Sequence, residues 1–522
     1  MLPVITASLQ RGGVDPRFLF IVYKIRGCNY GCRCVPAYRH HRLQACTSDR
    51  EIVQCCNAET TVGRLVTDIA VPSPATPPRT FFGEPRALAW LAFTEAWERF
   101  SFYGMAALLV LYMSTALLVP GHIEHVAGFG AFRAVLESIF GPMSTLALTS
   151  QIYGLYTGFV YFTPVFGGLV ADTFLGRRNA VVLGAVLMSA GHIAMAFDAS
   201  FLLALLLLIV GCGLLKGNIS AQVGGLYAED DAAGRTRGFS IFSISINVGA
   251  VAGPLLCGLL AQLAGWHAGF GLAGLLMLCG LATYLLGYRE LTETTRSAPA
   301  AATAHIPLSA AQGRTIAALI AVMAITIFQS IAYYQNTNIG LIWADSHVDL
   351  SLLGFHMPVS WFNSIDSFVS IVSVPFLIAL WRRQSARGGE PGEIAKIGTG
   401  AAIACVANLL LVAGCALWRD RVPVLVPVLY DVLLGIAFLY YWPTLLALVS
   451  RAAPPQLRAT LMGVAFLSLF LSNLTMGWIG GFYEHMTPLA FWALHAAIAA
   501  AGAALALLLN RPLGRVLSQG AV

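Results

Sequence analysis

Twelve apolar stretches, each long enough to cross a lipid bilayer, follow one another from Leu88 to the end of the chain. A spanning helix needs about 20 mostly apolar residues, because no water is present in the hydrocarbon layer to satisfy an open backbone. The stretches cover residues 88–113, 147–171, 179–197, 201–220, 239–263, 268–288, 315–342, 359–381, 396–417, 423–449, 459–482 and 488–509. The chain is therefore expected to be an all-α membrane protein with twelve transmembrane helices. Its longest breaks are 114–146 and 289–314. The second holds the small-residue run Ser297–Ala304, a linker that divides six spans from six. The domain reading is two six-helix bundles, 81–289 and 315–510, joined by a cytoplasmic linker at 290–314 and followed by a tail at 511–522. Residues 1–80 are an extension without a spanning segment.

Charge supports this reading. Only 11% of the 522 residues are Asp, Glu, Lys or Arg, against about 25% in an ordinary soluble protein. The net charge of +6 is spread over short loops, which fits membrane topology better than a nucleic-acid footprint. With the segment before the first span inside, the inner loops carry basic residues from Arg86 through Arg177, Arg178, Arg235, Arg382 and Arg451 to Arg515. The outer loops carry Arg133, Arg419 and Arg421. Both termini are expected in the cytoplasm, and the two halves then run in the same direction. No cleavable signal peptide is visible. The extension crowds Cys28, Cys32, Cys34, Cys46, Cys55 and Cys56 near His40 and His41, but their spacing matches no familiar zinc pattern. No metal or cofactor is expected. The extension reads as disordered or as not native.

Ionisable residues inside a membrane mark a pathway or relay by default. The densest set lies on the first span. Glu95, Glu98 and Arg99 stand at i, i+3 and i+4 and project from one face, and Phe102 and Ala106 continue the stripe. Lys216 lies near the end of the fourth span. Two carboxylates with two cations can be neutral overall, and protonating one glutamate frees a cation, as proton symport requires. A fixed ion network pinning the first span to the fourth is the structural alternative. Asp172, Arg177 and Arg178 at the turn between spans two and three read as a cytoplasmic gate latch. Asp366 is deep enough to need a partner, whereas Asp431 is close enough to the interface to be solvated. His192 and His495 read as hydrogen-bonded packing residues.

The segment Glu95–Gly104 resembles the first-helix motif of the proton-dependent oligopeptide transporter family, part of the major facilitator superfamily. The likeness continues through Tyr161–Pro164, Gly167–Arg178, Gly191–Ile193, Gly213–Ser220, Phe239–Phe242, Ile246–Gly249 and Gly265–His267. It is thinner beyond, at Trp343–Asp345, Pro358–Phe362, Pro443, Ala453–Pro454 and Met462–Gly463. The resemblance implies the superfamily's fold. It assigns proton coupling and the peptide carboxylate to Glu95, Glu98, Arg99 and Lys216, and pocket positions to Tyr103, Tyr161 and Asn247. The implied partners are a small peptide or peptide-like solute, protons driven by their own gradient, and the bilayer. A monomer in the cytoplasmic membrane is expected.

The departures fall mostly in the second half. A second first-span arginine common in the family is Ala106 here. Its acidic partner on the seventh span is Tyr334, before Gln335. The tenth-span glutamate that holds a peptide amino group is Phe438, and Asp366 stands where an asparagine is usual. Three functions follow: proton-coupled transport of di- and tripeptides, transport of a peptide-derived or other carboxylate without a free amino terminus, or a non-transporting sensor or degraded paralogue. No nucleophile–base constellation and no phosphate-binding loop suggests an enzyme or a self-contained ATP-driven pump.

Overall fold

The computed structural model describes residues 80–519, apart from 82, 229–230, 292–308, 353 and 419–420. The extension and most of the linker, with the readings made on them, lie outside the described residues. From Pro78 onward the chain is one compact unit.

A short antiparallel pair, β1 (Thr80–Phe81) and β2 (Glu84–Pro85), leads into α1 (Arg86–Tyr112), which ends in a π turn at Met113–Leu117. The first half continues with α2 (Phe129–Phe140), α3 (Thr145–Val170), α4 (Arg177–Ala194), α5 (Phe201–Gly225), α6 (Ala232–Ala264) and α7 (Trp266–Gly287). The second half comprises α8 (Ala310–Tyr334), α9 (Ile339–His347), α10 (Phe362–Ala386), α11 (Glu393–Leu417), α12 (Leu425–Ala452), α13 (Arg458–Gly480) and α14 (Pro488–Gln519). Among the described residues, eleven helices are long and apolar enough to span. The twelfth expected span, α4, has 18 residues and opens on Arg177, Arg178 and Asn179. At 1.5 Å per residue it reaches about 27 Å, and it packs along α5 and α7.

The structure departs from the sequence reading at three places. The seventh stretch, 315–342, is not one helix: α8 stops at Tyr334, a 3₁₀ turn covers Gln335–Thr337, and α9 restarts at Ile339. The polar run Gln335, Asn336, Thr337 and Asn338 offers side chains that compete for the backbone. The break at 114–146 contains α2, an extra helix too short to span. The tail is helical to Gln519.

Helix starts follow local chemistry. Ser309 and Gln312 form a reciprocal capping box at α8, and Asp231 and Ser144 accept backbone N–H bonds at the starts of α6 and α3. Gly176, at φ +75°, makes the α3–α4 turn.

In the first half α1 packs against α6 and α7, and α5 against α3 and α4. In the second, α11 packs against α12 and α14, and α8 against α14. The halves meet along two matched joints, α3 with α13 and α6 with α10. At the first, Ser150 donates to the Gly477 carbonyl (2.8 Å), Asn338 to Ser150 (2.6 Å) and Thr157 to Asn473 Oδ1 (2.9 Å). A Cβ at Gly154 would sit 2.5 Å from the Asn473 carbonyl, so the backbones touch only because small residues face each other. At the second joint, α6 carbonyls around Pro254 accept bonds from the other half. Ser364 donates to Val251 (2.8 Å), Ser360 to Pro254 (3.3 Å) and Trp361 Nε1 to Leu255 (3.0 Å). The hydrogen bonds of both joints lie toward the end of the molecule that carries α2, while α3 and α13 stay in contact further along, through Phe159 and Phe162 on Phe470 and Val165 beside Gly463.

Candidate functional site

The α1 stripe reaches the molecular centre in two tiers. The lower tier is the ion cluster. Glu95, Glu98 and Arg99 are 2%, 0% and 2% exposed. Arg99 Nε lies 2.7 Å from Glu95 Oε1 and 2.8 Å from Glu98 Oε2. Its N–H donates to Glu95. Both Glu98 oxygens and Glu95 Oε2 are buried without a hydrogen-bond donor. One guanidinium thus serves two carboxylates, and Glu98 is the less satisfied of the two.

Lys216 departs from the expected contact. Its ammonium forms no ion pair within 4 Å among the described residues and lies 4.6 Å above the Tyr161 ring centroid. A cation over an aromatic face keeps part of its stabilisation without a carboxylate. Lys216 is therefore poised between the cluster and the cavity above it.

That cavity, ≈ 220 Å³, lies between the halves just below the two joints. Its first-half wall includes Phe102, Tyr103, Ala106, Tyr153, Thr157, Tyr161 and Asn247. The second half adds Tyr333, Tyr334, Thr337, Asn363, Asp366, Ser367, Ser370 and Phe438. Arg99 lies 5.9 Å below the Phe102 ring, so the stripe read from the sequence runs from cluster to cavity. Tyr161 and Tyr334 meet across the halves with hydroxyls 3.4 Å apart. Asn247 Nδ2 donates to the Ser243 carbonyl. Asp366 is the one carboxylate in the wall. Tyr333 donates to its Oδ2 (2.5 Å) and Ser367 to its Oδ1 (3.3 Å). Tyr333 also stacks on Phe438 at 5.4 Å, so aromatic rings fill the place where an acid on α12 would stand.

Two predicted residues lie elsewhere. Gln335 does not line this cavity: it is buried against His495 (3.2 Å) and Asn338 (3.2 Å), because the helix break turns it away from the centre. Lys216 reaches the cavity only through the Tyr161 ring. Asp431, expected to be solvated, is 3% exposed, because α9 covers the end of α12. At the α3–α4 turn, Arg177 pairs with the exposed Asp172 (3.2 Å) within the turn itself. Arg178 reaches the Leu291 carbonyl (3.0 Å) and lies 3.9 Å over the Tyr288 ring, so of the three gate residues its side chain is the one that ties the turn to another helix end, beside the Tyr288 hydroxyl on Asn179 (2.8 Å) and Gln222 on the Arg177 carbonyl (3.3 Å). His192 and His495 are buried and hydrogen-bonded. Sequence reasoning missed Tyr333, Tyr153, Thr157 and Ser367. The adjacent pair Tyr333–Tyr334 was the available signal, since rings on successive residues at a helix end cover different faces.

At the end away from α2, Glu84, just before α1, pairs with Arg237 (2.7 Å) and accepts from Tyr227 (3.0 Å). The Arg237 hydrogen bond, more than the Tyr227 one, holds the Glu84 carboxyl below the ordinary carboxylate range.

The chain matches the family model described as the POT family over residues 178–308 and 299–492. It is similar to a peptide transporter of Yersinia enterocolitica, with 29% identity over 77% of this chain and 89% of the relative. It is also similar to a di-/tripeptide transporter of Lactococcus lactis, with 27% identity over 83% and 97%. Among solved structures, a peptide transporter of the POT family in complex with sulfate matches with a TM-score of 0.73 and 25% identity, over 85% of this chain and 98% of that one. These relatives are transporters and not enzymes, and their fold is that of the major facilitator superfamily. The chain belongs to the POT family.

Proposed function

We propose that this protein moves di- and tripeptides across the cytoplasmic membrane together with protons, by alternating access. It works as a monomer with both termini inside. The observation that carries the reading is the stacking of an aromatic, carboxylate-bearing cavity between the halves directly on a buried cluster of two glutamates and one arginine. The POT-family relatives named as peptide transporters support the solute class.

The coupling follows from charge. Glu95 holds the Arg99 N–H, and Glu98 has no donor, so a proton entering the cluster is best placed on Glu98. A solute carboxylate entering beside Tyr161 draws the Lys216 ammonium toward it. The glutamates then lose part of their compensating charge, and proton binding becomes more favourable. Solute and proton therefore promote each other's binding, and that linkage is reciprocal. On the opposite wall, Asp366 is the acceptor for the solute ammonium group. The outer joints close one end while the cavity empties toward the other. Asp172, Arg177 and Arg178 brace the inner end of α3 and α4 during that movement.

Tyr333 already occupies one Asp366 oxygen, which favours a second reading: a solute with a blocked or missing amino group. Uptake of dialanine and of N-acetyl-dialanine into proteoliposomes under an imposed pH gradient tests both. Driven accumulation of dialanine supports the first reading, equal or better accumulation of the acetylated compound supports the second, and transport of neither sinks both.

A further inference from the structure

One further buried carboxyl, that of Asp431, has no part in this scheme. Asp431 lies on α12, and a pocket of ≈ 10 Å³ beside it is walled by Asn336, Trp343, Phe362, Leu411 and Tyr430. Such a volume holds about one water. Asn336 is the polar neighbour of the carboxyl, yet neither of its side-chain atoms, nor the Tyr430 hydroxyl, completes a hydrogen bond of adequate geometry. Asn336 and Tyr430 are 5% and 3% exposed. Three polar groups thus converge on a small, partly open space about one water wide.

We propose that Asp431 is a second proton-carrying carboxyl, with Asn336, Tyr430 and one water completing its site at the break between α8 and α9. No lysine or arginine comes within 4 Å of it among the described residues. The titratable groups around it are Asp366 on α10 and Tyr430 on its own helix. Behind the walls stand Cys415 on α11, His347 stacked on Trp343, and His495 beside Trp492. An ionised carboxylate in such a place is costly, and a bound proton removes that cost.

The site is connected to the solute cavity twice. Asn336 belongs to the same 3₁₀ turn as Thr337, which lines the cavity. One turn along α12, Gly435 packs directly on Asp366: a Cβ there would lie 2.7 Å from the Asp366 carbonyl. Any rearrangement of the helix break between the two access states alters the donors around Asp431. Its proton is then released in one state and taken up in the other.

This inference rests on the proton-coupled reading, and the test separates their failures. Purified wild type and Asp431→Asn are reconstituted, and dialanine accumulation is measured against imposed pH gradients, with counterflow as control. Each coupled proton multiplies accumulation about tenfold per pH unit. Asp431→Asn is expected to keep counterflow and to lose one such factor. Wild-type accumulation in Asp431→Asn overturns the proposal. A wild type that accumulates neither dialanine nor N-acetyl-dialanine sinks the transport reading instead. Infrared spectra of the purified protein then decide the site alone: a protonated-carboxyl C=O band present in wild type and lost in Asp431→Asn supports it, and no lost band overturns it. Should Asp431→Asn not fold, Asp431→Glu keeps a protonatable group. A shifted carboxyl band supports the site, and an unshifted one overturns it.

Discussion

At the scale of the residue, the proposed coupling gives the driving force to Glu98 and the recognition of the solute ammonium to Asp366. Glu98→Gln keeps the shape of a side chain whose contact with Arg99 is an ion pair rather than an aligned hydrogen bond. Proton-driven accumulation should fall to the equilibrium level, while counterflow, which needs no net proton movement, persists. Equal accumulation in mutant and wild type would remove Glu98 from the relay. For Asp366, a hydrogen bond to a charged group is worth about 1.5–3 kcal/mol. In Asp366→Asn the preference for dialanine over its N-acetyl analogue should therefore shrink roughly 10- to 150-fold in competition uptake, and an unchanged preference would place the ammonium elsewhere. The glutamates and Arg99 were legible because charges spaced i, i+3, i+4 in an apolar run share a face. Burial of Asp431 was not, since distance from the end of a run says nothing about whether another element covers it.

At the scale of the element, the apolar runs located the spanning helices well because hydropathy reports the solvent each must tolerate. The interruption after Tyr334 was written in the same run, as four polar residues in a row, but a sliding apolar count passes over them. The α2 helix lay in a break read as loop, too short for a length criterion to flag. Helix α1 is also fixed at its start, by Glu84 on Arg237 and Tyr227. The Glu84 carboxyl is held below its ordinary range when folded. Its contribution to stability is thus fully present above the usual carboxylate value of 4.5 and is lost as pH falls through the lower folded value. Thermal unfolding in detergent should show Tm dropping below about pH 4, with a smaller acid slope in Glu84→Gln. Parallel slopes would show that this pair does not anchor α1.

At the scale of the whole molecule, loop charge predicts which end faces the cytoplasm. Single cysteines placed in 114–146 should react with an impermeant maleimide in intact cells, and those in 382–395 only after permeabilisation; the opposite pattern would invert the topology. The two-half plan was legible from the small-residue linker and the loop charges. The way the halves touch was not, because it depends on which small residues face one another across the interface. Those α3–α13 and α6–α10 joints are hydrogen-bonded mainly by hydroxyl and indole groups donating to carbonyls. Every donor there finds an equivalent partner in water, so parting them exchanges like for like. Among the described residues no ion pair at these contacts has to be broken, and ionic strength has little hold on them. The protein can thus rock open in brine as readily as in fresh water, leaving its posture to be chosen by what occupies the centre.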